Sequence, residues 1–137
     1  MAKGGKASTL TRLQSAARLS RTALAGRLLQ HGFYAGQDQI MLALADLDGQ
    51  TPGNLAIRLG VRPPTITKTI NRLQGQGFVE RRACESDSRQ AHIWLTDTGR
   101  DAIRSIEKAL RKTEKQAAKG FDKKELKQLS KLLARVE

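Results

Sequence analysis

The sequence predicts a mainly α-helical (α+β) chain, with a winged helix-turn-helix core and a two-stranded wing, flanked by N- and C-terminal helices that serve dimerisation. Three observations predict it. Apolar residues recur at spacings of three, four and seven through most of the 137 residues, as they do in helices that bury one face. In the middle, Leu55-Ala56, Leu59-Gly60-Val61 and then Ile66, Ile70 and Leu73 are spaced as two short helices meeting across a tight turn. Beyond Phe78 the period drops to two, with Ala91, Ile93 and Leu95 on one side, as in a strand.

Each element follows from its own signals. Residues 8–30 read as a first helix, with Leu10, Leu13, Ala17, Leu24 and Leu28 on one face and Ser8 or Thr9 as its cap. The stretch His31 to Gly36 breaks it. Residues 37–47 form a second helix with Ile40, Leu44 and Leu47 inward, ended by Asp48-Gly49. Thr51-Pro52 opens a third, a capping hydroxyl followed by proline at the first helical position. Gly60 supplies the turn, and Pro63-Pro64 starts a fourth helix whose end is bounded by Gly75 and Gly77. Residues 78–95 read as a hairpin around a polar, charged loop. Thr96 to Lys119 is a long helix with Ile103, Ile106, Leu110 and Ala117 inward, broken by Gly120. Asp122 and Glu125 then have capping-box spacing ahead of a stripe of Leu126, Leu129, Leu133 and Val136. This divides the chain into an N-terminal helix and linker (1–36), a winged helix-turn-helix region (37–96) and C-terminal helices (97–137).

Charge narrows the function. The chain has 25 Lys+Arg against 13 Asp+Glu, a formal net charge of +12. Residues 1–30 carry six basic and no acidic residues, whereas residues 31–50 carry three acidic and no basic ones. Such a balance attracts polyanions, nucleic acid first, with a solvated Lys-rich surface or a membrane-surface protein as the alternatives. No apolar run is long enough for a membrane-spanning helix or a secretory signal. With one cysteine, Cys84, no intrachain disulfide can form, and a reducing cytoplasm is the expected setting. His31, His92 and Cys84 make no metal-ligand spacing. No cofactor motif, nucleophile–base pair, phosphate loop or carboxylate cluster points to an enzyme.

The run from Thr51 to Gly99 resembles the DNA-binding core of the MarR (multiple antibiotic resistance regulator) family. The resemblance rests on Leu55-Ala56 with Leu59-Gly60, Thr65-Ile66-Thr67-Lys68 with Ile70 and Leu73, and Gly77-Phe78-Val79-Glu80-Arg81. It continues through Asp87 and Arg89 to Leu95-Thr96 and Gly99. It implies a cytoplasmic homodimer, built by the first helix and the last two helices of each subunit, that binds pseudopalindromic double-stranded DNA; many such dimers respond to small aromatic or phenolic ligands. One departure stands out: Arg62-Pro63-Pro64 occupies the place where the family usually has Ser or Thr before the recognition helix.

Burial of Ile66, Ile70 and Leu73 leaves Thr65, Thr67, Lys68, Asn71 and Arg72 toward the outer face of that helix. Thr65, Thr67 and Lys68 are candidates for bases or adjacent phosphates, and Arg72 for the DNA backbone. Arg62 is placed to reach a phosphate, and Arg81 and Arg82, flanking the first strand, to touch phosphates or pair with Glu80 or Glu85. Arg89 at the wing tip suits a narrow minor groove, with Asp87 bracing it or the loop. His31, Phe33 and Tyr34, between the first two helices, are candidate ligand contacts. Cys84 reads as a structural or exposed thiol, with a redox switch as the alternative that Arg81 and Arg82 nearby in sequence keep open. The expectation is a homodimeric, ligand-responsive repressor. Its rivals are an architectural DNA binder without sequence preference and a protein-interaction module.

Overall fold

A computed structural model describes residues 6–83 and 90–137. Helix α1 spans Thr9–Gln30, α2 Gln37–Asp46, α3 Pro52–Leu59 and α4 Pro63–Gly75. The hairpin strands are β1, Val79–Ala83, and β2, Ala91–Leu95. Helix α5 spans Asp97–Ala117, a 3₁₀ turn covers Ala118–Gly120, and α6 spans Lys123–Ala134.

The helix starts follow the capping chemistry. Ser8, Thr51 and Thr96 accept from the backbone N–H groups of Thr11, Asn54 and Gly99 respectively, each meeting one of the orphan donors of a helix start. Asp122 and Glu125 close a reciprocal capping box on α6. Arg62 occupies the corresponding position of α4 with no side-chain cap; prolines at the first two helical positions carry no N–H, so fewer donors need one. Gly60, at φ 63°, closes the turn between α3 and α4 in the left-handed region.

One core joins these elements. Leu28 of α1, Phe33, Ile40, Met41 and Leu44 around α2, Leu55 of α3, Ile66, Ile70 and Leu73 of α4, and Ile93 of β2 and Ile106 of α5 are all buried in it. Phe33 stacks on Phe78 with centroids 4.6 Å apart, fixing the linker after α1 to the root of the hairpin. At about 25 cal/mol per Å² of apolar surface, a phenylalanine buried to 1% exposure contributes about 2–3 kcal/mol.

The wing is an antiparallel pair in which Val79 faces Leu95 and Arg81 faces Ile93. Its base is held by the turn after α2. The Ile93 N–H donates to the Gln50 carbonyl at 2.8 Å, and the Leu95 N–H to Asp48 Oδ1 at 2.9 Å. Gln50 is buried because its amide donates to the carbonyls of Ala43 and Leu47. Gly49 lies under Trp94, where a Cβ would sit 2.5 Å from the indole.

Two inward assignments are corrected. Leu47 is 61% exposed, because α2 ends at Asp46 and the chain turns extended there, breaking the helical phase. Ala117 is exposed as well; the face of α5 turned toward α1 and the core runs through Ile106, Ala109 and Thr113 instead. Helix α1 lies along α5, and Arg27 ties them by donating to Thr113 Oγ1 and Gln116 Oε1. Helix α6 buries none of its residues.

Candidate nucleic-acid interface

From residue 49 to residue 79 the sequence carries Arg58, Arg62, Lys68 and Arg72 and not one acidic residue. Helix α4 turns this composition into a surface. With Ile66, Ile70 and Leu73 inward, its remaining positions project outward, and Arg62, Thr65, Thr67, Lys68, Asn71 and Arg72 are all exposed. Thr69 is half-buried and spends its hydroxyl on the Thr65 carbonyl at 2.8 Å. The outer face of α4 is therefore hydroxyl, amide and cation.

The wing strand is attached to this face. Arg81 donates to the side-chain oxygen of Asn71, so two predicted site residues from different elements meet. Arg82, the next residue, points to the other side of the strand, pairs with Glu80 and lies over the Trp94 ring at 5.0 Å. Its charge is partly neutralised there. Arg58 on α3 is paired with Asp46. Asp87 and Arg89, like Cys84, lie outside the described residues.

The three candidate ligand residues go to three places. His31 is exposed and borders a pocket of 450 Å³ between α1 and α5, together with Arg27, Lys112 and Gln116. Phe33 is core. Tyr34 is 48% exposed, and its ring lies beneath the Arg72 guanidinium, 4.5 Å from centroid to Cζ. They do not line one cavity.

Residues 34–91 match the model of the MarR family. Over that span the chain is similar to the MarR family. The MarR match covers α2 to the beginning of β2, which includes every candidate on α4 as well as Arg81 and, in sequence, Arg89. Solved structures share the MarR architecture over nearly the whole chain. A probable transcriptional regulator from Pseudomonas aeruginosa superposes with a TM-score of 0.87 at 22% identity, covering 95% of this chain and 97% of that one. Wild-type MarR (apo form) from E. coli gives 0.83 at 20% identity, covering 96% and 98%. A mutant MarR from E. coli complexed with operator DNA gives 0.83 at 22% identity, covering 90% and 89%. These superpositions establish the winged helix-turn-helix fold.

Behind this face, several polar residues that hold the interface escape any reading by periodicity. The buried Gln37 accepts from the Tyr34 N–H at 2.9 Å and donates to Gln76 Oε1 at 2.8 Å, and Gln76 donates in turn to the Gly32 carbonyl at 3.1 Å. Two amides thus join the end of α4 to the loop between α1 and α2. Their partners lie about forty residues apart, and no local spacing announces them. Beside them, burial raises the Asp38 carboxyl above the usual carboxylate range, against the backbone N–H groups of Asp38, Gln39 and Gly36, which lower it. Among the described residues no group of His, Cys, Asp and Glu is arranged to hold a metal ion. No described helix is long and apolar enough to cross a membrane.

Proposed function

We propose that this protein is a sequence-specific double-stranded DNA-binding transcriptional regulator that acts as a homodimer. One observation carries the reading. The only face that α4 leaves open is cationic and hydrogen-bonding, free of carboxylates, and continuous through Asn71 and Arg81 with the wing. A helix of this kind fits the major groove, with Thr65 and Thr67 toward base edges, Lys68 toward a base or an adjacent phosphate, and Arg62, Arg72 and Arg81 on phosphates. The net charge of +12 supplies affinity through counterion release, and the short polar side chains supply discrimination.

Dimerisation is supported by the terminal helices. Helix α6 is well capped yet has no fully buried residue, and Leu132 and Leu133 on it and Val136 just beyond its end stay exposed, as do Leu10 and Leu19 on α1. A second copy covering these faces places two α4 helices in successive major grooves, about 34 Å apart. Ligand-responsive repression rests on the family resemblance. The pocket beside His31 fits it, since Arg27 there bridges α1 to α5. A ligand that shifts this bridge changes the separation of the reading heads.

Selection of bound sequences from a random duplex pool tests the reading. The expected product is an enriched motif with two-fold symmetric half-sites. A pool that retains protein but enriches nothing favours an architectural DNA binder.

A further inference from the structure

We infer that Tyr34 is a positioning residue for DNA-backbone recognition, its ring holding Arg72 beside Lys68 over a pocket that receives one phosphate of the duplex. The inference rests on the DNA-binding reading and adds a site to it. A pocket of 160 Å³ lies where the start of α2 meets α4, lined by Tyr34, Ala35, Gln37, Lys68, Thr69 and Arg72. Its charged lining residues are the two cations, and no carboxylate is among them. Lys68 and Arg72 stand four residues apart on one helix, a spacing at which like charges repel. An anion between them relieves that repulsion.

The polar groups around the pocket leave the anion to these cations. The Gln37 side chain is committed to the Tyr34 N–H and to Gln76, and the Thr69 hydroxyl to the Thr65 carbonyl. Arg72 is held differently. Its guanidinium carbon lies over the Tyr34 ring at 4.5 Å, a cation–π contact that holds the charge in place without spending an N–H hydrogen bond, so that those donors can serve phosphate oxygens. A phosphate here is one of the DNA backbone, because the pocket adjoins the face that presents Thr65 and Thr67. Tyr34 acts through Arg72 and does not read sequence.

Fluorescence anisotropy with a mixed-sequence duplex, titrated at several salt concentrations, tests this directly. Tyr34→Ala is expected to reduce the slope of log affinity against log salt by about 0.9, the value of one phosphate contact. The fall in affinity over a fourfold rise in salt then shrinks about 3.5-fold. Tyr34→Phe keeps the ring and should keep the wild-type slope. In an Arg72→Ala background, Tyr34→Ala should change nothing further. A wild-type slope in Tyr34→Ala, with the circular dichroism spectrum unchanged, overturns the inference while leaving DNA binding intact. So does saturable binding of inorganic phosphate that Tyr34→Ala abolishes without altering the duplex slope, which assigns the pocket to a free anion. Wild-type protein that binds no duplex removes the DNA reading itself.

Discussion

The guanidinium of Arg81 in β1 donates a hydrogen bond to the side-chain oxygen of Asn71 in α4. The wing and the recognition helix are thereby held as one body on the exposed side of the domain. The contact is between side chains and carries little of the fold's stability, since both residues are exposed. Its effect is on orientation: it sets where the positive charge of the first wing strand stands relative to the outer face of α4.

Asn71→Ala and Arg81→Ala should each weaken duplex binding about tenfold, or ~1.4 kcal/mol. Folding stability should stay within about 0.5 kcal/mol of wild type. Because the pair acts together, the double variant should bind little worse than the weaker single one. Anisotropy titrations of the four proteins at one salt concentration check this. Additive losses would mean that the two residues contact DNA independently.

Gly99→Ala tests the seam between the wing and α5. A Cβ at Gly99 would lie 2.1 Å from the Phe78 carbonyl oxygen, which is backbone and cannot swing aside. The expected loss is about 2–3 kcal/mol by urea denaturation. Gly53→Ala serves as control, since its Cβ meets nothing closer than 3.9 Å, and it should be neutral or slightly stabilising. Equal stability of the two variants would place Phe78 wrongly.

Much of this molecule was legible in local chemistry. Thr51-Pro52, Gly60 and the Asp122/Glu125 pair each signal an element boundary within four residues, and all three stand where those signals put them. The outer face of α4 followed from the spacing of Ile66, Ile70 and Leu73 for the same reason. What was not legible depends on distant partners. Gln50 reads as loop until Ile93 pairs with it, and Gln37 reads as a surface helix start until Gln76 meets it. Leu47 shows the opposite failure: it continues the helical phase in sequence, but the helix stops one residue before it. Tyr34 was singled out as a ligand contact for its position between helices; its stacking on Arg72 depends on α4 passing over the loop, which no spacing encodes.

Leu133→Glu should separate the dimer. Leu133 is exposed on α6 in the single chain, so the substitution costs the isolated fold little, whereas a carboxylate buried between two copies is strongly unfavourable. Sedimentation velocity at micromolar concentration should give a monomer for this variant and a dimer for wild type. Identical sedimentation of the two proteins as dimers would locate the interface elsewhere.

Burial of Asp38 predicts a pH dependence. Its folded-state pKa is raised by desolvation, so between the unfolded and folded values the unfolded chain binds fewer protons. Stability therefore falls as pH rises through that window. Asp38→Asn should be more stable than wild type at pH 7, and the difference should vanish below the ordinary carboxylate range. Chemical denaturation at both pH values checks it; a variant less stable than wild type at pH 7 would show that the ionised carboxylate is favoured where it lies.

The most direct test of the reading head is the ratio of affinities for a selected duplex and a scrambled duplex of equal length, measured at one salt concentration. A surface that reads bases through Thr65 and Thr67 should give a ratio of about 10³ or more, and Thr67→Ala should lower it. A ratio near one, unchanged by Thr67→Ala, would mean that α4 meets DNA only as charge.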